Sequence, residues 1–206
     1  MNEGQAAGGG PDVAVLGVDP GRRWTAGVLR AGGAAVDGWT LGPVDSGGRP
    51  DPAAVDDVDD VAAWARYMRR VVDQVESTID RYRQGGGGPV HLACEVMVPP
   101  VGRRIALADW LIPRQLMAGL ISYDPGTILI RAAGHGRARP VADHYPPELW
   151  PAKGRLGGRP AAWGPNEARR GERDHERAAW DIAGAGAVVL ARRADAARTA
   201  GGTVAR

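Results

Sequence analysis

The chain has 206 residues with 44% hydrophobic content, enough for one domain of roughly 150–200 residues plus tails. It has no run of about 18 uncharged apolar residues, which argues against a transmembrane helix. The polar, Gly-rich start lacks the basic and apolar regions of a signal peptide, so a soluble, cytoplasmic protein is expected. A single Cys94 has no internal disulfide partner, which suits a reducing compartment. Net charge is only +2, with one lysine, Lys153, among 26 basic residues. Arginine favours bidentate phosphate contacts. GC-rich coding would give the same bias, so the excess weighs little by itself.

Residues 1–11 read as a flexible tail. Val13 to Val18 is a continuous apolar run, suited to a strand buried on both faces, and it ends on Asp19-Pro20-Gly21. Trp24–Leu29 and Ala34–Leu41 follow as strands, and the turn formers between them predict an antiparallel meander. The strongest helix spans about Asp56 to Arg83, with one apolar stripe from Val61 to Tyr82. Asp56, Asp57, Asp59 and Asp60 fall in its first turns, where carboxylates favour the positive dipole end.

Val90–Val96 is a fourth strand and delivers Glu95 near its end. Ile105–Ile121 reads as a helix interrupted or kinked at Pro113, and Thr127–Arg131 as a fifth strand. A long basic loop, 134–172, precedes a last helix from about Arg173 to Ala194. Residues 195–206 read as a second tail, leaving 12–194 as the domain. The class is α/β, with a mixed five-stranded sheet (three antiparallel strands, then parallel ones) flanked by helices.

Three acidic stations stand where an element meets a loop: Asp19, Glu95, and the helix opening Asp174-His175-Glu176-Arg177-Ala178-Ala179-Trp180-Asp181. Distant carboxylates converging from separate elements suit a divalent metal site. Two Mg²⁺ ions (Mn²⁺ also fits) about 4 Å apart can activate water and stabilise a leaving oxygen in phosphodiester hydrolysis. Asp19 would bridge, with Glu95 flanking it and the last helix supplying the other side. Asp19 as a turn residue and Glu95 as an ion-paired strand end are the plain alternatives. Cys94 reads as packing, and His91, His135 and His144 lack zinc spacing.

The motifs Leu16-Gly17-Val18-Asp19-Pro20-Gly21, Ala93-Cys94-Glu95 and Asp174-His175-Glu176-Arg177-Ala178-Ala179, in this order, resemble the RuvC-like Holliday junction resolvases of the RNase H-like superfamily. The long basic loop resembles that of small bacteriophage members, which would act in the host cytoplasm. The resemblance covers Val13 to about Leu190. It implies an RNase H-like fold, a Mg²⁺-dependent endonuclease that cuts branched DNA, and a homodimer with paired sites. In that family the last helix carries two catalytic groups three residues apart. His175 matches the first, whereas the second position holds Ala178. Asp181 is expected to substitute, with His175 positioning or deprotonating the water; Asp174 is the alternative. Ala178 equally fits an inactive RuvC-like DNA-binding module. An actin-like or sugar-kinase-like ATPase shares the Asp-x-Gly start but needs duplicated domains.

Arg22 and Arg23 follow Asp19, and Arg103 and Arg104 follow Glu95. Arg155, Arg169 and Arg170 stud the long loop with Arg137, Arg139, Lys153 and Arg159. All suit DNA phosphates. Trp150 and Trp163 suit either stacking on unpaired bases or anchoring the loop. The helix Ile105–Ile121, with Trp110 and Leu111, is the expected dimer surface.

Overall fold

The computed structural model describes residues 13–98, 105–131, 145–149, 161–164 and 172–201. Its strands are β1 (Ala14–Asp19), β2 (Thr25–Ala31), β3 (Ala34–Leu41), β4 (Val90–Val96) and β5 (Ile128–Arg131). Its helices are α1 (Val61–Gln84), α2 (Leu107–Tyr123) and α3 (Glu172–Gly201), with a short 3₁₀ turn at Pro147–Leu149. The strands form one sheet in the order β3-β2-β1-β4-β5. β1–β2 and β2–β3 are antiparallel, while β4 and β5 continue parallel to β1. Helices cover both faces. This is the expected α/β architecture, a mixed five-stranded sheet flanked by helices.

β1 is the middle strand, and all six of its residues are buried. Ala14, Leu16 and Val18 face one core with Tyr67, Val71 and Val75 of α1 and Ile112, Leu116 and Leu120 of α2. Val15 faces the other side with Ile182 and Ala183 of α3. The β2–β3 turn uses Gly32 and Gly33, both at positive φ (57° and 83°), which a tight two-residue hairpin requires.

Several boundaries differ from the sequence reading. α1 starts at Val61 because Asp60 is its N-cap, its carboxylate accepting from the Ala63 N–H at 2.9 Å. The acids before it hold turns instead: Asp57 accepts from the Asp59 amide, and Asp51 from that of Ala53. No acid stands in the helix's first turn. Pro113 sits inside a single α2 rather than breaking it. It is seven residues into the helix, so the bond it removes is one to the carbonyl of Asp109 in the first turn. α3 runs to Gly201, past the expected end at Ala194. Its last turns are exposed, and their alanine and arginine content supports helix without packing.

Candidate active site

The sheet and α3 meet through glycine. A Cβ on Gly17 would lie 2.1 Å from the Ala179 carbonyl oxygen and 2.5 Å from the Ala183 nitrogen. Only a bare backbone lets the helix approach β1 this closely. Gly186 does the same one strand over, where a Cβ would come 2.9 Å from that of Ala93. The helix therefore descends along β1 from Asp19 towards Val15, and its first turn lies above the strand tip.

There His175 Nδ1 is 2.7 Å from Asp19 Oδ2. Asp19 is 7% exposed and His175 half-buried. Gly21 gives the ring room, since a Cβ there would be 3.2 Å from His175 Cε1. A proton on Nδ1, donated to Asp19, leaves the ring lone pair on Nε2.

Glu95 joins by register. Val18 pairs with Cys94 and Gly17 with Ala93 in the parallel β1–β4 ladder, so the next step sets Glu95 beside Asp19. Ala93 faces α3, and alternation puts Glu95 on that same face. Neighbouring strands are about 4.8 Å apart, so the two residues stand side by side at the tips of adjacent strands. The Cys94 thiol points into the opposite core, against α1 and α2, and is pushed up first by burial, then by the charges of Asp19 and Glu95. It is a buried packing group.

Asp181 is elsewhere. Six residues along a helix is a rotation of about 600°, which turns Asp181 some 120° away from His175. The sequence reading put the two nearly on one face, and the geometry corrects it. Asp181 is 1% exposed and accepts a 2.7 Å hydrogen bond from the Tyr145 hydroxyl. Burial, then Asp181, raises the pKa of that phenol. Arg177 covers the Tyr145 ring at 4.3 Å. Asp181 thus secures the segment 145–149 to α3. Asp174 is exposed and pairs with Arg177 at 3.4 Å.

Glu176, beside His175, carries a structural role that the sequence reading missed. It is fully buried and accepts from Thr40 Oγ1 (2.9 Å), the Trp163 amide (2.9 Å) and the Ala162 amide (2.5 Å). The Trp163 ring rests against Gly38 and packs on the buried group of Ala26, Val28, Leu149, Ala179 and Trp180, so this tryptophan anchors its segment to the body. Tyr67 was also missed. Its hydroxyl is 2.8 Å from Thr25 Oγ1 and donates to the Gly21 carbonyl at 3.1 Å, bracing the turn after Asp19. Burial holds that phenol well above its usual range.

Arg22 is engaged within the protein. Its guanidinium donates to Asp109 at 2.7 Å and to Asp56, and the Asp109 bond leads the causes that raise its pKa. Arg23 is 61% exposed and only 3.9 Å-close to Asp56. Arg103, Arg104, Arg155, Arg169 and Arg170 lie outside the described residues, as do Trp150 and the remaining loop arginines. Trp110 and Leu111, expected at an exposed dimer surface, are half-buried; Leu111 packs on the core, and Arg114 stacks on Trp110 at 5.3 Å.

Among the described residues, no three His, Cys, Asp or Glu side chains form a ready-made metal cluster. Asp19 and Glu95, at adjacent strand tips, are carboxylate oxygen donors of the kind a hard divalent cation takes, with water completing its shell. Donors for a second ion are not gathered there among the described residues. None of the described helices is long and apolar enough to cross a membrane.

No protein-family model and no curated protein sequence matches this chain. Among solved structures, it is similar to T. thermophilus RuvC in complex with Holliday junction substrate. The match has 19% identity and a TM-score of 0.43, covering 83% of this chain and 90% of that one.

Proposed function

We propose that this chain is a metal-dependent endonuclease acting on branched DNA, with the four-way junction as its substrate. The observation that carries this reading is the placement of Asp19 and Glu95 at adjacent parallel strand tips, with His175 of α3 hydrogen-bonded to Asp19. Asp19 and Glu95 are the residues that would hold Mg²⁺ or Mn²⁺. When bound, such an ion supplies charge stabilisation at the phosphate and lowers the pKa of water.

The chain's own groups account for the remaining chemistry. Asp19 accepts the Nδ1 proton of His175 and so fixes the tautomer, leaving Nε2 to take a proton from the attacking water. Gly17 and Glu176 hold α3 at the height and rotation that this contact requires. Asp181 has a structural role instead: it fastens Tyr145 to the helix. A junction offers two strands to cut, and a homodimer with paired sites would serve both.

A second reading, an inactive DNA-binding module, is favoured by Ala178 and by the lack of a three-donor cluster among the described residues. One assay separates the two. Synthetic four-way junction and matched linear duplex are incubated with Mg²⁺, Mn²⁺ or EDTA, and nicks are mapped on denaturing gels. Metal-dependent nicks on the junction support the endonuclease. Junction binding with no nicks in either metal supports the module.

A further inference from the structure

The arginines of α1's first half differ from those that carboxylates engage. Arg22, Arg81, Arg177 and Arg198 are engaged by carboxylates. Arg66 and Arg69 are exposed and make no hydrogen bond or ion pair, and Arg70 donates only to the Gly42 carbonyl. Their spacing of three and four residues puts all three on one face of α1. They edge a groove of about 830 Å³ floored by Val44, Met68 and Val72, with Asp73 at its border.

The groove continues from the site end of the sheet. Arg70 holds Gly42, and Gly42 in turn packs so closely on the turn after Asp19 that a Cβ would come 2.7 Å from the Arg23 carbonyl. Exposed Arg23, with Asp56 nearby, half-buried Arg70, and exposed Arg66 and Arg69 therefore form one basic track, leading from the strand tips along the sheet face opposite α3. The middle of α1 then reverses sign, with exposed Asp73, Glu76 and Asp80, before Arg81 and Arg83 close the helix. A polyanion is thus favoured at the site end of the helix and repelled beyond it.

We propose that Arg66, Arg69 and Arg70 bind the sugar–phosphate backbone of a DNA arm leaving the site, a contact separate from the Asp19–His175 chemistry. This rests on the DNA reading above. Three cations on one helical face, with nothing neutralising the first two, match a run of phosphates, and backbone contact of this kind carries no sequence preference.

The test is binding of a fluorescein-labelled four-way junction in EDTA, by anisotropy, across a salt series. Arg66→Gln/Arg69→Gln is the main variant, since neither side chain has a partner to lose. Arg83→Gln, exposed at the other end of α1, controls for net charge. Each lost phosphate contact lowers the slope of log affinity against log salt by about one. The double variant should therefore lose about two from that slope. Its affinity should fall roughly tenfold less than wild type between 50 and 200 mM salt. Arg83→Gln should match wild type.

If wild type binds and the double variant keeps its full slope, the track is wrong and the nuclease reading stands. Equal effects from Arg83→Gln would reduce the track to net charge and overturn it. Unchanged DNA binding with an altered oligomeric mass would assign the groove to a second copy instead. If wild type binds no junction, the DNA reading itself fails.

Discussion

Gly17→Ala tests how the site is assembled. Two effects of opposite sign compete. In a strand whose backbone angles suit alanine, removing glycine stabilises by about 0.4–1 kcal/mol through the unfolded chain. Against this, the new methyl would be 2.1 Å from the Ala179 oxygen, about 1.3 Å short of the 3.4 Å at which ordinary contact begins. Both obstacles are helix backbone, so the helix must lift. Overpacking of this kind costs about 1–3 kcal/mol, at the upper end here because no rotamer can yield. The net loss of about 2 kcal/mol should lower the melting temperature by roughly 4–8 °C in a chain of this size. A rigid lift of the same 1.3 Å would carry His175 Nδ1 from 2.7 Å to about 4 Å from Asp19, beyond hydrogen-bond reach. Thermal unfolding by circular dichroism reads the first consequence, and junction nicking the second. Gly88→Ala is the control, since a Cβ there meets nothing within 4 Å. A Gly17→Ala protein that melts at or above the wild-type temperature would refute the close-approach account.

Other outcomes follow from the buried carboxylates and from titration. Glu176→Ala removes the acceptor for Thr40, Ala162 and Trp163, and losing a buried hydrogen-bonded charge should cost about 3 kcal/mol or more. Trp163 fluorescence should shift to the red as its segment detaches; an unshifted spectrum would deny the anchor. Asp181→Asn keeps an acceptor for the Tyr145 hydroxyl and should retain nicking, whereas Glu95→Gln should lose it. Parallel losses would return Asp181 to the metal set. For Arg22→Ala, a double-mutant cycle with Asp109→Ala should give a coupling of about 1 kcal/mol or less, because the carboxylate is half exposed. On pH, the Cys94 and Tyr67 pKa values are raised in the fold, so both groups stay protonated while their unfolded counterparts ionise. Their stability contribution is whole below the unfolded values, near 8.5 and 10, and drains away above them. Cys94→Ala should flatten the first part of that decline in melting temperature, between about pH 8.5 and 10.

Much of this was legible in the residues. The apolar run of β1, the Gly32-Gly33 turn and the periodic stripe of α1 each have a single cheap solution, so the sheet and the strand-end positions of Asp19 and Glu95 could be read directly. The start of α1 was less clear. The acids of Asp56 to Asp60 look alike in sequence, yet Asp60 caps the helix, Asp57 holds a turn and Asp56 pairs with Arg22. Asp181 was misplaced because helical spacing was counted without its rotation. Glu176 and Tyr67 were invisible for a different reason. Their partners, Thr40 with Ala162 and Thr25 with Gly21, come from remote segments, and no local pattern announces a tertiary hydrogen bond. A polar group one residue from His175, on a turn otherwise facing the sheet, was the one available signal.

Asp19→Asn tests the central claim most directly, because it keeps shape and a hydrogen-bond partner for His175 while removing the charge. Junction binding and junction nicking would be measured side by side in Mg²⁺ and Mn²⁺. The account predicts that Asp19→Asn binds the junction as wild type does and leaves it uncut in both metals. Nicking at the wild-type rate by that variant would contradict it.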